Sequence, residues 1–248
     1  MGVIYDDFKD RHAIVTGAGA GIGRAIAVAL AAQGARVSAI DINQDGLLQT
    51  AARSEHITAM PCDLTNPDAL RATVTAALRA RGKVRCLINN AGVDRRIPFL
   101  QTTAEDWHWM LTVNLDHQML VSQLVAPEMD LSDDHAAIVN MSSSAWMKLA
   151  GNLAAYHTAK AGIIGLTRGL ARDLGGAGIT VNAIAPGRVM TERVAETTTE
   201  AWEAETKTLQ CVPKLITPKD IAGAAVWLSS SAASTVTGQT LIIDGGVV

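Results

Sequence analysis

The sequence predicts an α/β chain: a doubly wound parallel sheet of seven strands with helices on both faces, folded as a single domain over residues 1–248. Three observations lead there. Short apolar runs alternate with longer amphipathic segments, the pattern of repeated βαβ units. Apolar residues make up 48% of the chain and aromatics only 4%, so the core must be built from Ala, Val, Ile and Leu, as in sheets buried on both faces. The length of 248 residues suits an α/β fold organised around one core.

The apolar runs place strands at 13–15, 37–40, 57–60, 84–88, 136–139, 180–184 and 241–243. Helical patterns fill the intervals at about 21–33, 43–53, 67–81, 103–127, 154–176 and 217–229, with Asn43, Asn66 and Thr103 as N-caps. Residues 187–214 break the rhythm: Thr and Glu accumulate, apolar periodicity weakens, and the segment reads as a lid over a substrate pocket.

Charge narrows the function classes. The formal net charge is −3 and the longest basic cluster is the pair Arg95-Arg96, which gives neither nucleic acid nor an anionic membrane a footprint. Small molecules and copies of the chain are the expected partners. Cys62, Cys86 and Cys211 are scattered without metal or disulfide spacing, so no metal is expected and a reducing cytoplasm suits them. Residues 1–10 contain Asp6, Asp7 and Asp10 and no apolar core of a secretory signal. The uncharged stretch 221–243 is filled with Ser, Thr, Gly and Gln from Ser229 onward, and reads as helix, loop and strand rather than a membrane span.

The first strand runs into Thr16-Gly17-Ala18-Gly19-Ala20-Gly21-Ile22-Gly23 and straight into a helical pattern from Arg24. Residues without Cβ let the backbone turn tightly and bring N–H groups to a diphosphate at the positive end of a helix; Gly17, Gly21 and Gly23 meet that need. The spacing is T-G-x-x-x-G-x-G, not the strict G-x-G-x-x-G, and alone it also fits a plain tight turn. Asp41, 18 residues after Gly23 at the end of the second strand, adds a carboxylate able to accept hydrogen bonds from both hydroxyls of an adenosine ribose. Together these features predict a Rossmann-type dinucleotide site. Asp41, with Ala20 in the loop, favours NAD over NADP, whose 2′-phosphate would meet like charge. Asp63-Leu64 and Asn89-Asn90-Ala91-Gly92 follow the third and fourth strands on the same carboxyl edge, where open α/β sheets bind ligands.

Tyr156 and Lys160 lie four residues apart in a helical pattern beginning near Leu153, hence on one face. A phenol of pKa about 10 is a poor base at neutral pH, and bringing it to about 7 takes roughly 4 kcal/mol. An ammonium roughly 4 Å away supplies about that much at an effective dielectric of about 20. The pair has the composition of a general acid/base and its activator, a spacing that ordinary helix surfaces also show.

Over about residues 8–246 the chain resembles the short-chain dehydrogenase/reductase family. The matches fall in the family's order: the glycine turn, Asn89-Asn90-Ala91-Gly92, Asn114, Ser143, Tyr156-His157-Thr158-Ala159-Lys160, Pro186-Gly187, Thr237-Gly238-Gln239-Thr240 and Asp244-Gly245-Gly246. The resemblance implies hydride transfer between C4 of a nicotinamide and a carbinol or carbonyl carbon. Ser143, selected among Ser142, Ser143 and Ser144 by standing 13 residues before the tyrosine, would hydrogen-bond the substrate oxygen. Tyr156 would move the hydroxyl proton, Lys160 would lower the tyrosine pKa and hold the nicotinamide ribose, and Asn114 would maintain a water-linked proton path. The implied cofactor contacts are Gly17, Gly21, Ile22, Gly23, Asp41, Asp63, Leu64, Asn90, Ala91, Gly92, Tyr156, Lys160, Pro186, Gly187, Val189 and Thr191. A homotetramer or homodimer is also implied.

Asp94, Arg95 and Arg96, Trp146 and Met147, and residues 188–191 give the substrate pocket polar walls, and the segments around them resemble the family's sugar and sugar-acid dehydrogenases. Polyhydroxylated substrates need several fixed donors and acceptors, which agrees with that resemblance. Asp94, Arg95, Ser143, Trp146 and Tyr156 are the expected substrate contacts. Trp146 fits either the pocket wall or packing beneath it, and the arginines fit surface ion pairs equally well. The alternatives are a 3-oxoacyl thioester reductase, usually served by NADPH and so opposed by Asp41, and a non-catalytic NAD-sensing protein, opposed by the presence of Asn114, Ser143, Tyr156 and Lys160 together.

Overall fold

A computed structural model describes residues 3–133, 135–148 and 150–248; Met1 and Gly2 of the predicted domain lie outside the described residues. All seven expected strands form: β1 His12–Thr16, β2 Arg36–Asp41, β3 Ile57–Pro61, β4 Val84–Asn89, β5 Ala136–Met141, β6 Ile179–Pro186 and β7 Thr240–Ile243. They make one parallel sheet in the order β3-β2-β1-β4-β5-β6-β7. The chain winds outward from β1 to β3, returns beside β1 at β4 and continues to β7. This reversal opens a crevice at the carboxyl ends of β1 and β4.

The helices are α1 Gly21–Ala32, α2 Gln44–Ala51, α3 Pro67–Arg81, α4 Ala104–Leu111, α5 His117–Val125, α6 Ala154–Leu174, α7 Glu192–Ala195, α8 Glu200–Leu209 and α9 Pro218–Ser229. Successive strand residues point to opposite faces of the sheet, which sorts the core into two layers. Ala13, Val15, Val37, Ala39, Ala137 and Val139 pack with Ile26 and Leu30 of α1 and Ile221 and Ala225 of α9. Ile14, Ile40, Leu87 and Ile138 pack with Leu70 and Val74 of α3 and Val121 and Val125 of α5. The caps form as expected: Asn43 accepts from Gly46 N, Asn66 from Asp68 N and Ala69 N, and Thr103 makes a reciprocal box with Asp106.

Two expectations need correction. The helix predicted across 103–127 is broken by a π-helical turn, Thr112–Asp116. The Asn114 side chain donates to the Met110 carbonyl at 3.0 Å, the acceptor that its own backbone N–H would use in a regular α-helix, and that competition favours the wider turn. Residues 187–214 contain two helices, α7 and α8, where the weak apolar periodicity predicted none. Both begin at threonine caps, Thr191 and Thr199.

Three histidines are buried in this frame. His12 Nε2 lies 2.9 Å from Ser38 Oγ, His117 Nε2 lies 3.1 Å from the Ala91 carbonyl, and His135 sits against Arg85 and Thr180. Burial pushes each imidazole from 6.5 down to about 4. Between those two values the unfolded chain binds protons that the folded chain does not, so stability is lost as pH falls through that window. The full shift of one ring corresponds to roughly 3 kcal/mol. Circular dichroism melts from pH 7.5 to 4.5 are expected to show Tm falling most steeply below about pH 6.5. His12→Gln is expected to flatten that slope; an identical slope in the variant would show that the burial of His12 does not set it.

Candidate active site

Only the residues between Thr16 and Gly21 separate β1 from α1. Gly17 has φ +64°, and a Cβ there would lie 2.7 Å from the Ala91 Cα; a Cβ on Gly23 would run into the Gly17 carbonyl. The turn is braced from β4. Asn90 Nδ2 donates to the carbonyls of Thr16 and Gly17 at 3.0 and 3.1 Å, and Thr16 Oγ1 accepts from Asn90 N and Ala91 N at 3.0 and 3.1 Å. The N-cap of α1, Ala20, has no side chain to offer the first turn. Gly21 N–H is instead taken by Glu192 Oε2 at 2.8 Å. The turn therefore already holds an oxyanion, as expected of a helix N-terminus.

Asp41 ends β2 with Oδ2 accepting from Gly19 N at 2.8 Å and Oδ1 from Asn43 N at 2.9 Å. Asp63 accepts from Thr65 N, and Leu64 packs partly buried on the core. Ile22 packs against the core beneath the glycine turn.

Beyond β4, Asn114 clamps the Val93 backbone: Oδ1 accepts from Val93 N and Nδ2 donates to Val93 O, both at 3.0 Å. Ser143 follows β5; its hydroxyl accepts from Ala145 N at 3.1 Å and faces the Tyr156 phenol, whose ionised form it favours. Of its two neighbours, Ser142 donates to the Lys160 carbonyl at 2.7 Å and Ser144 is buried. Lys160 is 3% exposed; its Nζ donates to the Met141 carbonyl at 2.9 Å and lies 5.8 Å from the centre of the Tyr156 ring. Burial pushes the ammonium down to about 8. Burial also pushes the phenol up to about 12, opposed by the Ser143 hydrogen bond. The expected descent of Tyr156 toward neutrality is thus not produced by these side chains alone. The ammonium is itself desolvated and tied to Met141, and the cost of burying a phenolate outweighs its attraction.

On the substrate side the arginines of the pocket form pairs. Asp94 pairs with Arg193 of α7, Arg95 pairs with Asp106 at 3.3 Å and lies over the Trp109 ring, and Arg96 donates to the Gly151 carbonyl at 3.0 Å. Trp146 is partly buried, with its indole N–H unpartnered among the described residues. Pro186 ends β6, Gly187 packs on Asp244, Val189 bridges to Ile216, and the Thr191 methyl lies over Gly21. Among the described residues no helix is long and apolar enough to cross a membrane.

This edge-on arrangement has close counterparts. The profile of a family described as enoyl-(acyl carrier protein) reductase matches residues 17–248. A Rhizobium meliloti protein named "Probable galactose dehydrogenase GalD" is 41% identical, covering 98% of this chain and 97% of that one. The chain belongs to the short-chain dehydrogenase/reductase family. D-xylose 1-dehydrogenase of Caulobacter vibrioides is 36% identical over 98% of both chains. The solved structure of a 7α-hydroxysteroid dehydrogenase complexed with NADH and 7-oxo glycochenodeoxycholic acid superposes with TM-score 0.90 at 36% identity, over 96% of this chain and 94% of that one.

This short-chain dehydrogenase/reductase is an oxidoreductase acting on CH–OH groups. Glu192 and Arg193 lie in a segment that the sequence likens to sugar dehydrogenases, but sequence reasoning assigned neither a contact: their partners Gly21 and Asp94 stand 171 and 99 positions away. Their adjacency to Thr191 was the available signal. Packing around Gly92 gives a direct test. A Cβ there would lie 2.6 Å from Asn114 Oδ1 and 3.1 Å from Lys160 Nζ. Gly92→Ala is expected to cost about 1–3 kcal/mol of stability through overpacking and to lower kcat at least about tenfold. Denaturant melts and steady-state rates check this, and wild-type values for both would refute the close packing.

Proposed function

We propose that the chain is an NAD(H)-dependent dehydrogenase of a neutral sugar or related polyhydroxylated substrate, with Tyr156 as acid/base, Ser143 as the donor to the substrate oxygen, Lys160 as the charge favouring the phenolate and Asn114 as the residue positioning the turn above them. The observation that carries this reading is buried Lys160 against the Tyr156 ring, 5.8 Å from its centre, with the Ser143 hydroxyl facing the phenol.

The residues present fit a dinucleotide. Gly17 and Gly23 leave no room for a Cβ, and Gly21 N–H already donates to a carboxylate. Gly17, Gly21, Ile22, Gly23 and Thr191 would hold the diphosphate, and Asp41, Asp63 and Leu64 the adenosine. Asn90, Ala91, Gly92, Pro186, Gly187 and Val189 would line the nicotinamide half with Tyr156 and Lys160. A carboxylate offers about four acceptor positions. Backbone N–H groups take two on Asp41, which leaves two acceptors for ribose hydroxyls, whereas a 2′-phosphate, itself an anionic acceptor, would be repelled. When bound, the nicotinamide supplies the hydride carrier.

The neutral phenol of Tyr156 gives its proton to the oxygen of a carbonyl being reduced, and the phenolate takes it back in oxidation. With the phenol held up at about 12, the acid form dominates at neutral pH. Oxidation is therefore favoured by rising pH, and reduction is not.

The names of the relatives support a sugar, and the pairing of cations supports a neutral one. Arg95, Arg193 and Arg188 are already paired with Asp106, Asp94 and Glu205, the last at 2.9 Å, which leaves Arg96, held by the Gly151 carbonyl, as the one pocket arginine without a carboxylate partner among the described residues. Exposed apolar side chains at Trp109, Met119 and Ile242 support association of copies as a homotetramer or homodimer, and an exposed free thiol at Cys211 supports a cytoplasmic setting.

NADH absorbance is the readout, with aldoses and the matching aldonates as substrates. The aldose is expected to be preferred, its oxidation rising from pH 7 to 9, and Tyr156→Phe is expected to lower kcat by about 10²–10⁴ while retaining NADH binding. Full activity in Tyr156→Phe would overturn the assignment. Asp41→Ser is expected to shift the NAD/NADP preference toward NADP by about tenfold or more, equivalent to about 1.4 kcal/mol. An unchanged ratio of kcat/KM for the two cofactors would remove Asp41 from cofactor selection.

A further inference from the structure

Glu192 opens α7 on the far side of the crevice from α1, yet its carboxylate reaches the first N–H of that helix. Oε2 accepts from Gly21 N at 2.8 Å and Oε1 pairs with Arg24 Nη1 at 2.9 Å. Arg24 is fixed in turn by Thr50 Oγ1 at 3.1 Å, Gln49 Oε1 at 3.2 Å and the Gly19 carbonyl. Ala20 leaves α1 without a side-chain cap, so this position takes its anion from 171 residues away. The Thr191 methyl covers the same glycine.

A peptide N–H has one hydrogen and, at this length, serves one acceptor well. A diphosphate drawn to the same helix end meets a resident carboxylate there, and the two repel as like charges. We propose that Glu192 is a positioning residue that guards the diphosphate cradle: it occupies Gly21 N–H until the dinucleotide arrives, and its displacement frees α7 from α1 while Thr191 stays at the cradle. The competition lowers cofactor affinity selectively through the diphosphate. It places Glu192, and no other lid acid, in control of that affinity.

This inference rests on the reading of the glycine turn as a dinucleotide cradle. The test is equilibrium binding of NADH, ADP and adenosine to the full chain, measured by calorimetry, for wild type, Glu192→Gln, Glu192→Ala and Glu196→Gln. Glu196 is an exposed acid of the same lid and controls for net charge. NADH and ADP are expected to bind about fivefold tighter to both Glu192 variants, adenosine to be unaffected, and Glu196→Gln to match wild type. Hydrogen exchange over residues 192–199 is expected to speed up when ADP binds wild type, and to be fast in Glu192→Ala with or without ADP. Equal or weaker NADH and ADP binding by the Glu192 variants overturns the proposal, as does equal tightening in Glu196→Gln or for adenosine. If wild type binds neither NADH nor ADP, the dinucleotide reading itself falls; if wild type binds them and the Glu192 variants do not differ, this inference alone falls.

Discussion

Asn90 donates its side-chain amide to the last carbonyl of β1 and the first of the glycine turn, and through this bridge across the topological switch point the two halves of the site become one packed unit. The same segment continues through Ala91, whose carbonyl is met by buried His117, and Gly92, which leaves just enough space for Asn114 and Lys160. Asn114 then grips Val93, and Lys160 reaches back to Met141 at the end of β5. Every link is a hydrogen bond or a close packing contact. A side chain added at one link must displace the next, because close-packed interiors transmit strain rather than absorb it.

That continuity explains how a lysine can be buried beside a tyrosine. The Met141 carbonyl satisfies one ammonium hydrogen and Asp94 favours its charge, while burial opposes it. At neutral pH the outcome is an ammonium beside a neutral phenol. The attraction between them is small in that state and grows only as the phenol loses its proton in a low-dielectric setting. An interaction that strengthens as charge develops stabilises the reacting state more than the resting one, which is what the chemistry requires.

The frame of the fold was legible because its signals are local. Strand runs, glycine spacing and Asn or Thr caps each depend on residues within a few positions, and Asn43, Asn66 and Thr103 cap the helices as read. The places of Tyr156 and Lys160 on one helix and of Asp41 at the end of β2 were legible for the same reason, through spacing and position in a repeating unit. The π-helical turn was not, since the periodicity of 103–127 carries no sign that the Asn114 side chain competes for Met110 O. The pKa of Tyr156 escaped as well, because a helix spacing of four gives proximity to Lys160 but says nothing of the burial both groups share.

The lid shows how consecutive residues can tie opposite walls of a crevice. Glu192 is held at the glycine turn and Arg193 at Asp94, so α7 spans the cofactor side and the substrate side in four residues. A helix that short has no stability of its own and takes its position from its partners. Those partners are an exposed ion pair, Arg193 with Asp94, worth about 0–1 kcal/mol and screened by salt, and the contacts of Glu192 with Gly21 N–H and the largely buried Arg24. The roots of the lid differ in kind: Met190 N bonds the Ile216 carbonyl at 2.8 Å, and Val212 N bonds the Gly245 carbonyl at 2.9 Å. Backbone bonds fix the roots of the segment while side-chain charges fix α7, so the two ends of 187–214 and the helix between them are held by interactions of different kinds.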